Sequence, residues 1–165
     1  MANGRKGRKN VDTERMPGGF CPIPWSVLDS MAYLGLSHPA RSLLLEVARQ
    51  DVRSRNGQQL LSGRHLSQRG WNSNDTISRA KSELLKAKLI HETVKGYRPN
   101  KASWYAVTWF KLYKHPRFDE GAFEEFRLGA YLDFEFKNAG LKPSRGTKSI
   151  LIAPPKGVSS SMNAP

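Results

Sequence analysis

The run LSQRGWNSNDTISRAKSELLKAKLI, from Leu66 to Ile90, decides how the rest of the chain is interpreted. Its spacing predicts a helix over residues 73–88. Ser73 stands where a side chain caps the first backbone amides, and the lysines of the last turn suit the negative end of the helix dipole. Apolar residues recur every three or four positions and predict one buried stripe: Ile77, Ala80, Leu84 and Ala87.

The opposite face of this helix is polar. It carries Asn74, Asp75, Ser78, Arg79 and Ser82. Asn and Arg side chains can pair through two hydrogen bonds with adenine and guanine edges in the major groove of DNA. A solvated face with no partner is the other interpretation, because many amphipathic helices have one.

The elements around this helix also follow from the sequence. A short helix is predicted at residues 64–69, with Leu66 pointing inward, and a turn at residues 70–72, where Gly70 tolerates the left-handed conformation. Two strand-like runs follow, residues 89–94 and 102–110. In the second run the side chains alternate, and we expect Tyr105, Val107 and Trp109 to face the helix.

The loop between the two strands is basic. Lys95, Arg98 and Lys101 surround Tyr97 within seven residues. Cations beside an exposed aromatic ring suit contact with phosphates and with a minor groove. A merely solvated hairpin tip is the alternative.

The pattern S..TISRA..EL..A.LI, from Ser73 to Ile90, resembles the recognition-helix region of winged helix-turn-helix DNA-binding domains, and the basic loop resembles their wing. The resemblance covers about residues 40–110. It implies an α+β, mainly α fold, with a three-helix core and a small antiparallel β-hairpin as the wing. It also implies binding of double-stranded DNA through the recognition helix (73–88) and the wing (95–101). Asn72 and Ser73 would contact phosphate at the start of that helix, where backbone amides favour an anion.

Residues 20–58 supply the predicted remainder of this domain, which spans 20–112. A short helix is expected over residues 25–34, with Trp25 and Tyr33 packing on the core; an exposed partner site is the alternative. The first main helix begins after Ser37, with Pro39 in its first turn. Asn56-Gly57 is a turn signal, and residues 59–61 form a short strand that pairs with the hairpin.

The two ends of the chain differ from this centre. Residues 1–19 are predicted to be a disordered basic tail and residues 141–165 a flexible one. Residues 113–140 are predicted to be an aromatic, helical extension, with a helix running from Asp119 to about Leu132. Its aromatic residues need cover from the same chain, from a second copy in a homodimer, or from another protein. They are Phe118, Phe123, Phe126, Tyr131, Phe134 and Phe136.

Charge narrows the class of partner. The formal net charge is +13, and residues 20–112 hold fourteen Lys or Arg against six Asp or Glu. A polyanionic partner is therefore expected, and double-stranded DNA is the first candidate. No apolar run is long enough to span a membrane. A single cysteine, Cys21, and a basic start with no apolar segment after it predict a cytoplasmic protein.

The sequence favours a binding protein over an enzyme, with no metal and no cofactor. Its four histidines are scattered, and it has no glycine-rich phosphate loop. The arrangement, above all residues 20–48, resembles the replication proteins of phages and plasmids. A transcriptional regulator of a mobile element and a winged-helix protein-interaction module are the alternatives.

Overall fold

The computed structural model describes residues 19–97 and 101–134 of the 165-residue chain. Their elements are α1 (Trp25–Leu28), α2 (Met31–Leu34), α3 (His38–Ala48), β1 (Gln59–Leu60), α4 (Gly63–Ser67), α5 (Asn74–Lys86), β2 (Ile90–Val94), β3 (Trp104–Val107) and a 3-10 helix (Ala130–Asp133). Five α-helices and a three-stranded antiparallel sheet in these ranges confirm the predicted α+β class. None of the described helices combines the length and apolar character needed to cross a membrane.

Helices α3 and α5 pack against each other at the centre of the core. The stripe predicted for α5 is buried and consists of Ile77, Ala80, Leu84 and, just after the helix, Ala87. On α3 the buried residues that face it include Leu43, Leu44, Val47 and Ala48. A polar clamp joins the two helices, because the Glu83 carboxylate accepts hydrogen bonds from the backbone N–H and the hydroxyl of Ser37, both at 3.0 Å. Ser37 also caps α3, as predicted, by accepting from the Ala40 N–H.

The sheet has the order β1-β3-β2, so the short first strand pairs with the second strand of the hairpin. Gln59 lies opposite Tyr105 and Ile90 lies opposite Val107. The predicted strand at residues 59–61 is confirmed, although it ends one residue earlier. Tyr105 and Val107 are buried in the core and Trp109 is half-buried against it, as the alternation predicted.

The other face of β3 is covered as well, because residues 113–134 pack on it. Ala106 and Thr108 are buried there. The carbonyl oxygen of Thr108 accepts the Gly129 N–H at 2.7 Å, and the rings of His91 and Phe126 meet edge to face at 5.6 Å between centroids. The hairpin is therefore enclosed between the helical core and the C-terminal segment.

The single helix predicted over residues 25–34 is two short helices. Ser30 interrupts it: its hydroxyl donates to the Val27 carbonyl at 2.6 Å and accepts the Tyr33 N–H at 3.2 Å, so it caps a second helix instead of continuing the first. The packing role predicted for Trp25 is wrong, because its side chain is 80% exposed. The helix that carries it is one turn long, and its buried position belongs to Val27.

The helix predicted from Asp119 to about Leu132 is wrong, and so is the helical extension to which it belonged. The segment runs as turns that end in the short 3-10 helix, with Gly121 at φ +81° and Gly129 at φ +75°. These left-handed residues end a right-handed helix wherever they occur. The side chains of Tyr131 and Phe134 are buried in the main core, so the same chain covers that part of the aromatic set.

Several predictions concern residues outside the described ranges. They are the basic tail at residues 1–18, Arg98 in the hairpin loop, Phe136 of the aromatic set and the C-terminal tail at 141–165.

Candidate nucleic-acid interface

Helix α4, the turn after it and helix α5 form the frame of the candidate site. The hydroxyl of Ser62 caps α4 by accepting the His65 N–H at 3.3 Å, and Leu66 is fully buried beneath it. Gly70 has φ +86°, which reverses the chain after α4 at low cost because glycine has no Cβ. The two helices and the turn agree with the sequence prediction to within two residues at each end.

The polar residues predicted to face DNA lie together on the outer side of α5. We call Asn74, Asp75, Ser78, Arg79 and Ser82 the outward row; all five are exposed. Within this row the Arg79 Nη2 lies 2.8 Å from the Asp75 Oδ2, and the two side chains are 72% and 76% exposed. Solvent-exposed pairs one helical turn apart contribute only about 0.3–0.5 kcal/mol. The guanidinium can therefore leave Asp75 for another partner at little cost.

Two exposed residues that were predicted to contact phosphate, Asn72 and Ser73, come directly before the first turn of α5. The Ser73 hydroxyl oxygen accepts the Thr76 N–H at 3.2 Å and lies 3.1 Å from the Thr76 hydroxyl, which donates to it. This cap satisfies one of the backbone amides that every helix leaves without a partner at its start. It leaves the Ser73 hydroxyl proton to donate to an anion such as a phosphate.

The structure describes three of the four wing residues predicted from the sequence. Tyr97 and Lys101 exchange two backbone hydrogen bonds, of 2.9 and 3.0 Å, which close the loop. Tyr97 is 64% exposed and Lys95 is exposed. Lys101 is partly engaged, since its Nζ lies 3.2 Å from the Asp119 Oδ1. The fourth residue, Arg98, lies outside the described ranges.

Asp119 is a residue of the site that the sequence did not indicate. It was predicted to cap a helix; instead its carboxylate accepts the Lys95 N–H at 2.5 Å and pairs with Lys101, while its own N–H donates to the Thr93 carbonyl at 3.0 Å. The Lys95 hydrogen bond, helped by the nearby lysines, holds the pKa of Asp119 below its ordinary value of 3.8. No local pattern connects a carboxylate to a loop eighteen residues earlier, so only the fold could show this contact.

A second group of ionisable side chains lies beside β2, on the other strand of the hairpin from β3. A groove of about 360 Å³ beside β2 includes His91, Glu125 and Arg127 in its lining. The His91 Nε2 already lies 2.8 Å from the Ala122 carbonyl oxygen. In residues 19–97 and 101–134 no three His, Cys, Asp or Glu side chains are placed to hold a metal ion. That the chain is not an enzyme and needs no cofactor stays a prediction.

Comparison with models of known protein families, with curated proteins and with solved structures finds no match to this chain. A functional assignment therefore rests on the chain's own residues: the exposed outward row, the capped start of α5, and the cationic hairpin loop.

Proposed function

We propose that this chain binds double-stranded DNA as a winged helix-turn-helix protein. The order of elements supports this proposal: a first main helix, a short strand, two helices joined by a turn, and a hairpin whose second strand pairs with the short strand. In this reading α5 is the recognition helix and the loop at residues 95–101 is the wing.

The observation that carries the proposal is the exposure of the whole outward row of α5. The 13 residues of α5 make a rod about 20 Å long, and the major groove of B-DNA, about 12 Å wide, admits an α-helix. Its buried stripe fixes the helix to the core, so the backbone that carries the outward row is held in place. Asn74 and Arg79 would contact base edges, and the short side chains of Ser78 and Ser82 would let the helix approach closely.

The wing and the start of α5 would contact the DNA backbone. Lys95, Tyr97 and Lys101 extend from one loop, and Asn72 and Ser73 expose the amide end of the recognition helix. The formal net charge of +13 would draw the polyanion towards the protein from any direction. These contacts would give affinity that falls with salt and shows little sequence preference.

The test begins with selection of a binding site from random duplex DNA by the full chain. Wild type, Arg79→Ala and Lys101→Ala are then titrated against the selected duplex and a scrambled one. Because Arg79 faces the bases in this proposal, its loss should weaken the selected duplex roughly 5- to 150-fold and the scrambled one far less. The Lys101 variant should weaken both duplexes alike and lower the salt slope by about one.

Arg55→Ala is a matched control. Arg55 also forms an exposed pair with an aspartate four residues away, Asp51, at 3.3 Å, but it lies in the loop after α3. Its removal takes away the same charge and the same kind of ion pair. Equal losses on the two duplexes for Arg79→Ala, or a loss no greater than that of Arg55→Ala, would refute direct base recognition by α5.

For the biological role, we propose a replication protein of the phage or plasmid type, acting in the bacterial cytoplasm or nucleoid. The resemblance of residues 20–48 and of the overall arrangement supports this role. A plasmid that carries the selected site as its origin should replicate only when the protein is supplied. Repression of a reporter without replication would instead favour a transcriptional regulator of a mobile element. Failure to shift any duplex in a gel would favour a protein-interaction module.

The homodimer or host replication protein expected at residues 113–140 would use the surface that the aromatic segment leaves exposed. Tyr131 and Phe134 are buried in the same chain, whereas Leu128 and Leu132 are 54% and 66% exposed. A homodimer or a host replication protein could bind at these leucines. A palindromic selected site would support the homodimer, because half-site symmetry follows protein symmetry.

A further inference from the structure

The first residue of α4 and the first residue of α5 lie against each other. A Cβ atom built on Gly63 would collide with the Oδ1 of Asn74 and would lie 3.5 Å from its Cγ and 4.0 Å from its Nδ2. The amide group of Asn74 therefore occupies the space that any other residue at position 63 would fill. Its oxygen is turned towards α4, and its nitrogen is turned away.

The backbone does not explain a glycine at this position. Gly63 is helical and is not among the glycines with positive φ. Alanine forms helices more readily than glycine, because it loses less backbone freedom on folding. The steric conflict with Asn74 is what the structure offers as the reason for having no side chain here.

We infer that Gly63 is a positioning residue for base recognition: because it has no side chain, it leaves room for the Asn74 amide to lie against the start of α4, at the end of the outward row that would enter the groove first. The inference rests on the proposed DNA binding by α5. Asn74 is exposed, and the space left free at Gly63 is what allows its Oδ1 to face α4 while its Nδ2 faces away. An amide that can already take its binding orientation in the free protein loses less free energy on pairing with a base than one that must first displace a neighbouring group.

The conflict has a specific consequence for a substitution. In Gly63→Ala the new methyl group meets the far end of an exposed side chain and not backbone or core atoms. Asn74 can rotate away, so the fold should tolerate the change while the amide loses its orientation. Recognition would fall although stability stays near that of wild type.

The experiment compares wild type, Gly63→Ala, Asn74→Ala and the double variant on the selected and scrambled duplexes. Asn74→Ala should lower the ratio of the two affinities roughly fivefold or more, as expected for a base-contacting amide. Gly63→Ala should lower it by a large part of that factor. The double variant should match Asn74→Ala alone, since the methyl group then has nothing to displace. Ser67→Ala, a similarly small change on the exposed side of α4, is the control and should leave the ratio unchanged.

Each other outcome overturns a distinct claim. If Asn74→Ala lowers the ratio and Gly63→Ala does not, or if their losses multiply in the double variant, the positioning role is wrong and the proposed DNA binding stands. If Asn74→Ala and Arg79→Ala both leave the ratio unchanged, direct recognition by α5 is wrong.

A measurement without DNA tests the same contact. In the free protein, Gly63→Ala should shift the side-chain amide NMR signals of Asn74, whereas Ser67→Ala should not. Unchanged Asn74 signals would overturn the inference even if the affinity changes follow the expected pattern.

Discussion

Asn56 is the residue whose loss should most disturb the sheet that carries the hairpin. It is 2% exposed, and its Oδ1 accepts the Val107 N–H at 2.8 Å. Its Nδ2 lies within hydrogen-bonding distance of three carbonyl oxygens, those of Val107, Phe110 and Lys111, at 2.9, 3.0 and 3.2 Å. Strand β1 begins at Gln59, opposite Tyr105, so the Asn56 amide supplies hydrogen bonds to the part of the chain beyond Tyr105 that β1 does not reach.

The loss of stability expected for Asn56→Ala follows from these contacts. A hydrogen bond of this kind contributes about 0.5–1.5 kcal/mol net, and a buried backbone group left without a partner costs about 1–3 kcal/mol. Asn56→Ala removes the partner of a buried N–H and of the carbonyls beyond it, so we expect the free energy of unfolding to fall by about 2–5 kcal/mol. Small domains have only about 5–15 kcal/mol in total. The variant should fold, but its remaining free energy of unfolding should be small.

Urea unfolding of the full chain, followed by far-ultraviolet circular dichroism, measures this loss. The midpoint should fall by roughly 1–2.5 M with an unchanged slope, at a slope of about 2 kcal/mol/M, the middle of the range for small proteins. Asn72→Ala, which removes the same amide from an exposed position, is the control and should change stability by less than about 0.5 kcal/mol. A loss below about 1 kcal/mol for Asn56→Ala would show that water or a backbone shift replaces the amide and would refute the reasoning.

Three further predictions concern ionisable groups. The folded-state pKa of Asp119 lies below 3.8, so the stabilisation that this carboxylate gives is present above pH 3.8 and is lost as the pH falls through the folded-state pKa. Urea midpoints measured between pH 6 and 3 should therefore fall less steeply in Asp119→Asn than in wild type. Burial above all raises the pKa of Tyr105 to about 12, so the stabilisation that the neutral phenol gives is lost as the pH rises from 10 towards 12. Tyrosine ionisation, followed by absorbance at about 295 nm, should show a step near pH 12 that Tyr105→Phe removes. Glu83→Gln should lower the free energy of unfolding by about 1–2 kcal/mol, because the amide keeps one acceptor oxygen for the two hydrogen bonds from Ser37 and loses the negative charge. A urea unfolding curve that matches wild type would contradict this prediction.

Much of the frame was predictable because its causes are local. A capping hydroxyl acts on an amide three residues away, as Ser37, Ser62 and Ser73 do. Apolar spacing of three and four residues places Ile77 and Leu84 on one face whatever lies beyond it. The outward row followed for the same reason, since the residues between the stripe positions must face the other way.

The errors arose where local patterns competed. The run from Trp25 to Leu34 has apolar spacing for one helix, but the Ser30 hydroxyl caps a second one. The C-terminal segment is rich in residues that suit a helix after Asp119, yet glycines in the left-handed region at 121 and 129 give turns instead. A glycine in a sequence does not reveal which of its conformations the surrounding fold selects.

By itself, then, the sequence determined the helices of the centre, the hairpin, the exposed polar row on α5 and the excess of positive charge, because each depends on residues within a turn or two of one another or on composition alone. Only the tertiary structure decided that the Asn56 amide extends the sheet, that Asp119 holds the hairpin loop, and that Gly63 makes room for Asn74. Those contacts join residues between 11 and 55 positions apart. Chain folding brings such residues together through the packing of the whole core, and no short-range spacing encodes it.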